Sequence, residues 1–310
     1  MITGGAGFIG SHLADKLLDL GWNVTVVDNF DAFYPKSVKL ANIQRELAHP
    51  RFRFLEVDIR DYESLRAITA GPFDVIVHLA AKAGVRPSIL RPNEYVETNV
   101  NGTQNMLNLA RERGVTQFVF ASSSSVYGIN QRVPWSESDH VLMPISPYAG
   151  TKISGELMGH VYSHLFGIRF LALRFFTVYG PRQRPDLAIH KFARSILDGS
   201  PITVFGDGST SRDYTYIDDI IAGVISAINY RRTRYEVINL GSYRTVTLME
   251  MIATLEEALG RRANLVKSPE QPGDVPITYA DIAKARDLLG YDPQFPFASG
   301  IREFVAWLRG

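Results

Sequence analysis

The chain has 310 residues, longer than one hydrophobic core usually supports, so two lobes are expected. Its 45% apolar and 21% charged residues exclude a disordered tail protein. With 33 basic against 32 acidic residues there is no excess charge to draw it onto nucleic acid or anionic lipid, and the lack of cysteine excludes disulfides, cysteine metal sites and thiol nucleophiles.

The first signal is Gly4-x-x-Gly7-x-x-Gly10, which opens a helix over 11–20. A strand should precede it, yet only Met1 and Ile2 stand before Thr3, so that strand is either very short or begins upstream. Short runs rich in Val, Ile and Phe follow at 24–27, 52–57, 74–79, 117–121 and 169–174. All but 52–57 are nearly continuous rather than alternating, as strands buried on both faces of a parallel sheet read. Amphipathic stretches at 62–68, 92–113 and 147–166 lie between them. The alternation predicts a Rossmann-type α/β fold, a doubly wound parallel sheet, over residues 1–176. From 177 to 310 Gly, Pro and Arg punctuate shorter elements, which predicts a smaller C-terminal substrate-binding lobe. Within it, Asp218 is expected to cap a helix over 220–230, and Thr247 with Glu250 reads as a capping box. Part of 211–245, the run at 236–240, is expected to return to the first sheet. No apolar run is long enough to span a bilayer, and the N-terminus does not read as a signal peptide. A cytoplasmic enzyme of small molecules is the expectation.

The glycine triplet allows a tight turn and close approach of backbone to a pyrophosphate, with the free N–H groups of a helix N-terminus aimed at it. Asp28 ends the next strand, 18 residues past Gly10, where a carboxylate can accept from ribose hydroxyls. It also repels a 2′-phosphate and no Arg follows it directly, which favours NAD over NADP. Asp58, before Ile59, ends another strand and is a candidate contact to adenine.

Tyr148-Ala-Gly-Thr-Lys152 begins the helix after Ser146-Pro147, and its i, i+4 spacing puts phenol and ammonium on one face. A free phenol, with a pKa of about 10, is a poor base at neutral pH; a neighbouring cation favours its ionised form. Lys152 is expected to supply that cation. The run Ser122–Ser125 sits at the C-terminal end of a predicted central strand, where doubly wound sheets place ligands. Its hydroxyls can pass a proton to Tyr148.

Together these segments resemble the extended short-chain dehydrogenases/reductases, specifically the nucleotide-sugar epimerases. The resemblance runs through TGGAGFIGSH, HLAAKAGVR, TNVNGT, ASSSSVYG, SPYAGTK, LRFFTVYGPRQRPD, FGDGSTSRDYTYIDD and QPGDVPITYAD, nearly the whole chain. It implies a retained NAD, oxidation of a sugar at C4, turnover of the 4-keto sugar in the pocket, and reduction on its other face. It implies Tyr148 as base, Lys152 as its tuner and Ser123 as hydrogen-bond partner of the reacting 4-OH. It further implies NAD contacts from Gly4, Gly7, Phe8, Ile9, Asp28, Asn29, Asp58, Ile59, Leu79, Ala80, Ala81, Lys82 and Asn99, with no metal. Sister dehydratases and decarboxylases usually carry a Glu before the V-Y-G of the serine motif; Ser124-Ser125 stand there instead.

The partner implied is a UDP-sugar. Arg212 matches the family's diphosphate-binding Arg, Asp274 lies in a loop that closes over the nucleotide, and Thr203 and Phe205 match a uracil-contacting strand. The stretch FFTVYGPRQRPD, together with Asp31–Tyr34, Lys39-Leu40, Ala83–Arg86 and Ser88, is most like UDP-glucuronate 4-epimerases. A C6 carboxylate calls for hydroxyl or Arg donors, and Thr177, Ser124, Ser125, Arg86 and Arg184 are candidates. UDP-glucose 4-epimerase, or another nucleotide-sugar oxidoreductase or decarboxylase, is the alternative reading. Family members pair the helices at 92–113 and 147–166, so a homodimer is expected there, and Ile153, Leu157, Val161 and Leu165 form an apolar stripe at steps of four.

Overall fold

The computed structural model describes residues 1–269 and 275–310. The first strand, β1, is only Ile2–Thr3, and the turn Gly4–Gly7 leads straight into α1 (Phe8–Asp19). Then follow β2 (Val24–Asp28), α2 (Lys36–Ile43), β3 (Phe52–Glu56), α3 (Tyr62–Ile68), β4 (Val75–His78) and α4 (Val85–Leu90). The stretch predicted as one helix over 92–113 is α5 (Pro92–Tyr95), a π-helical segment Val96–Asn101 and α6 (Gly102–Glu112). Next come β5 (Gln117–Ser123), α7 (Pro147–Phe166) and β6 (Arg169–Phe175).

Every strand pair of the central sheet is parallel, in the order β11-β6-β5-β4-β1-β2-β3, where β11 is Tyr235–Leu240. The expected return of 236–240 therefore occurs, along β6. The chain runs outward from β1 to β3 and then crosses back to β4 on the other side. Connections leave in opposite directions at β1 and β4, and a crevice opens beyond their C-terminal ends. Both sheet faces are covered, as continuous apolar strands require. Leu13, Val26, Val77, Leu171 and Val224 share one buried cluster with the C-terminal part of the chain, while Phe118, Phe120, Phe170, Met106 and Tyr162 belong to a second.

The helix α7 has its boundaries written in its residues. Ser146 accepts from the Ala149 N–H, Pro147 occupies the first turn, and Gly167 closes the helix in the left-handed region at φ 69°. Gly155 and Gly159 bring it close to the sheet: a Cβ there would lie 2.3 Å from the Phe120 ring and 2.2 Å from the Phe170 ring.

Beyond β6, β7 (Thr177–Tyr179), α8 (Ala188–Asp198), β8 (Pro201–Phe205), β9 (Ser211–Arg212), β10 (Tyr214–Tyr216) and α9 (Ile217–Asn229) precede β11. After it come β12 (Val246–Thr247), α10 (Leu248–Leu259), β13 (Asn264–Ser268), α11 (Ala283–Leu289) and α12 (Phe297–Arg309). The strands pair as β10 with β7, β12 with β9 and β13 with β8. The Thr247–Glu250 capping box is formed. Asp218 does not cap its helix: α9 starts directly from extended Tyr216, without a side-chain cap, and Asp218 lies in the first turn. The neighbouring Asp219 instead accepts from the Gln294 and Phe295 N–H groups.

Candidate active site

Two cavities meet at the C-terminal edge of the sheet. The first, about 430 Å3, runs from the Gly4–Gly10 turn past Asp28, Asp58 and Leu79–Lys82 to Ser123, Tyr148 and Lys152. The second, about 390 Å3, is lined among others by Arg86, Trp135, Arg212 and Thr278. Ser124, Ser125 and Thr177 belong to both walls. This is the juncture where a molecule in one cavity meets a molecule in the other.

The glycine turn is a cradle that side chains would fill. A Cβ on Gly10 would lie 2.4 Å from the Gly4 carbonyl oxygen, and one on Gly4, at φ +68°, would lie 2.8 Å from the Ala80 nitrogen. Gly7 precedes α1 with no side-chain cap, so the first N–H groups of that helix are left for a ligand. Asp28 accepts from the Ala6 and Phe30 N–H groups at 3.2 and 2.8 Å, which fixes its carboxylate at the strand end. Burial pushes its pKa up, and Lys39, 4.0 Å away, pulls it back. Asp58 is clasped by Arg60 and receives the Asn29 amide at 2.8 Å. Phe8, Ile9, Asn29, Ile59, Leu79, Ala80 and Ala81 all line this cavity. Lys82 lines it too, held by Glu94 at 2.8 Å and Asp31 at 3.4 Å. Asn99 does not. Its amide bonds the backbone N–H and carbonyl of Lys82 and the Thr151 hydroxyl, so it shapes the Lys82 wall from behind.

Tyr148 is the half-buried phenol at the meeting point, its ring edge-on to Tyr95 at 6.2 Å. Burial raises its pKa; the neighbouring Ser123 hydroxyl and the charge of Arg184 oppose that rise. The charge that opposes the rise comes from Arg184 beside the expected Lys152. The Lys152 Nζ lies 5.9 Å from the Tyr148 ring and donates to the Ala121 carbonyl at 2.7 Å. Its own burial lowers its pKa to about 7, and the Glu156 charge opposes that fall. The sequence also counts Arg184 among the carboxylate donors, but it lines the first cavity, where Asp186 grips it at 2.9 and 2.7 Å.

The other expected substrate residues divide. Arg86 and Arg212 line the second cavity; the Arg86 guanidinium lies 5.8 Å from the Phe205 ring centroid. Behind Arg212, the buried Asp213 carboxylate accepts from Ser242, Tyr243, Thr215 and Ala280, which ties three loops together. Thr203 is exposed on β8 and lines neither cavity, nor does Phe205. Asp274 lies outside the described residues. Trp135 and Thr278 were not foreseen. They reach the cavity because the Trp135 backbone bridges to 279–281, a pairing across some 145 residues that no local pattern announces. Among the described residues of the second cavity there is no carboxylate, and two arginines face it.

Such an arrangement can hold a dinucleotide over the glycine turn and present a secondary alcohol from the second cavity to a desolvated phenol. No group of side chains suited to a metal occurs among the described residues.

Comparison with known proteins agrees with this geometry. A family model described as GDP-mannose 4,6 dehydratase matches residues 1–304. A UDP-glucuronate 4-epimerase of Thermodesulfobacterium geofontis is 38% identical, over 99% of this chain and 95% of that protein. The crystal structure of UDP-glucuronic acid 4-epimerase from Bacillus cereus, in complex with UDP-glucuronic acid and NAD, superposes with a TM-score of 0.91 at 38% identity, covering 99% of this chain and 98% of that one. A UDP-glucose 4-epimerase from Thermotoga maritima, solved with UDP-glucose, gives 0.90 at 34%, covering 99% and 97%.

Proposed function

This chain belongs to the GDP-mannose 4,6-dehydratase family of extended short-chain dehydrogenases/reductases, and from that premise we propose that it is a UDP-glucuronate 4-epimerase, making UDP-galacturonate with a retained NAD. The observation that carries the choice of substrate is the second cavity. It offers two arginines and the hydroxyls of Ser124, Ser125 and Thr177, with no carboxylate among its described residues. Arg forks and hydroxyl donors suit both a diphosphate and a uronate. An elimination would call for an acid where Ser124 and Ser125 stand.

NAD fits the first cavity by the cradle test above: only glycine is accommodated at positions 4 and 10. Its diphosphate would lie on the turn and the N-terminus of α1, and its ribose hydroxyls on Asp28. Bound there, NAD supplies a two-electron acceptor that becomes a donor in the return step. The chain's own residues do the rest. Tyr148 takes the proton of the 4-OH and later gives it back. Ser123 hydrogen-bonds that same oxygen and keeps it aimed at the phenol. Arg184 favours the phenolate, and Lys152, charged, adds to it. Ser124, Ser125 and Thr177 hold the C6 carboxylate.

That last task has a chemical reason. The 4-keto uronate is a β-keto acid and loses CO2 when the carboxylate can align its C–C bond with the ketone. A hydrogen bond to a charged group is worth about 1.5–3 kcal/mol, so losing one releases the group substantially. Thr177→Ala is therefore expected to raise the share of UDP-pentose product about tenfold, measured by NMR of the reaction mixture; an unchanged share would remove Thr177 from this role.

We also propose a cytoplasmic homodimer, where the dinucleotide and the nucleotide sugar are both at hand. The support is the outer face of α7. Ile153 of the predicted stripe is buried, but Leu157, Val161 and Leu165 are 59%, 47% and 63% exposed, with Phe166 beside them. Such a patch is costly in water. Leu157→Asp with Leu165→Asp should convert a species of twice the chain mass into a monomer in sedimentation velocity; an unchanged profile would contradict the interface.

The function is tested by giving the purified protein UDP-glucuronate and UDP-glucose separately, with no added NAD. Conversion of the uronate to its 4-epimer is expected; turnover of UDP-glucose alone would overturn the substrate assignment.

A further inference from the structure

Glu156 is the next residue after Tyr148 and Lys152 on the same i, i+4 face of α7, and it is buried. Its carboxylate accepts the Ser122 hydroxyl at 2.5 Å and two donors of Arg174, Nε at 2.9 Å and Nη2 at 2.8 Å. Arg174 is the register partner of Ser122 across β5 and β6. Its remaining Nη1 donates to the Tyr127 hydroxyl at 3.1 Å, and that hydroxyl donates to Asn239 Oδ1 on β11 at 2.6 Å. Ser122 and Tyr127 stand immediately before and shortly after Ser123, Ser124 and Ser125. The three hydroxyls at the centre of the site hang between two points fixed to one buried ion pair.

Resting on the reading of Ser123 and Tyr148 as the reaction centre, we propose that the Glu156–Arg174 pair is a positioning clamp: it holds both ends of the serine turn and so sets the Ser123 hydroxyl against Tyr148. Two successive turns of α7 grip two successive residues of β5, since Lys152 holds the Ala121 carbonyl and Glu156 the Ser122 hydroxyl. The helix that carries the phenol is thereby indexed to the strand that carries the serines. A buried ion pair is an expensive way to stabilise a fold, because desolvation offsets its attraction. As a rigid, fully hydrogen-bonded joint it is well suited to fix geometry. Misplacement of a reacting group by 1 Å can cost about a hundredfold in rate.

Removing either charge would leave the other buried and alone, and such a variant could fail to fold. The test therefore keeps both charges and cuts the tethers. Ser122→Ala, Tyr127→Phe and the double variant are assayed on whichever UDP-sugar the wild type epimerises, with thermal midpoints measured alongside. Each single variant is expected to lower kcat about tenfold with KM within about threefold, since the arginines of the second cavity are untouched. The double variant should lose little more than the worse single one, because both release the same turn. Lowered midpoints with unchanged kcat would make the pair merely structural and overturn the clamp, as would losses that multiply to about a hundredfold. Tyr148→Phe serves as the separate control: if it stays active, the reading of the reaction centre has failed rather than the clamp.

Discussion

Tyr148→Phe is expected to lower kcat about a thousandfold and to leave KM for the UDP-sugar within a few-fold, the range for removing a general base that acts only in the transition state. The ring is what packs: it is half-buried and meets Tyr95 edge-on, and phenylalanine keeps that contact. The hydroxyl is what reacts. Its deletion removes a single polar atom beside Ser123 and leaves the ring in place. The variant should fold, bind and retain dinucleotide, which separates loss of chemistry from loss of structure. Steady-state kinetics beside a dinucleotide assay of the purified protein measures both; a kcat within tenfold of wild type would mean that another group takes the proton.

Gly10→Ala should act on the opposite end of the first cavity and with comparable severity. An added Cβ would sit 2.4 Å from the Gly4 carbonyl oxygen and 2.6 Å from the Gly5 Cα, and both atoms are backbone that cannot swing aside. The turn must open or α1 must retreat from the sheet. Either movement spoils the N–H groups that would meet a diphosphate, each charge-assisted bond being worth about 1.5–3 kcal/mol. The variant is expected to purify with little or no bound NAD and, without added cofactor, to show at most about one hundredth of wild-type activity. Full NAD occupancy in this variant, read from the absorbance of the denatured supernatant, would contradict the placement of the diphosphate on this turn.

Much of this was legible before any coordinates, because the signals are local. A parallel sheet buried on both faces leaves continuous Val, Ile and Phe runs. The glycine turn declares itself by spacing, and phenol and ammonium share a face because they are four residues apart. What could not be read is what distance in sequence hides. The second cavity is assembled from α4, the serine turn, Trp135, β7, β9 and 275–278, and no periodicity links them. Asn99 stands in a motif associated with the cofactor, but whether its amide faces a ligand or a backbone depends on Lys82 and Thr151, which lie far from it in sequence. The surroundings of Lys152 were hidden for a similar reason. Spacing put it near the phenol, but only the fold shows that Ala121 takes its proton donor and that Arg184 approaches from a loop 36 residues beyond Tyr148. Asp218 had the chemistry of a cap, but α9 grows straight out of extended Tyr216 and leaves no place for one.

The central claim is that C4 is oxidised and reduced in place, the hydrogen leaving and returning as part of one retained cofactor while Tyr148 handles only the hydroxyl proton. Running the reaction on UDP-glucuronate in D2O tests this most directly. The account predicts UDP-galacturonate whose C4 still carries protium, with solvent deuterium only on exchangeable positions or beside the transient ketone. Deuterium at C4 would mean that the carbon is deprotonated and reprotonated from solvent, and the mechanism described would be wrong.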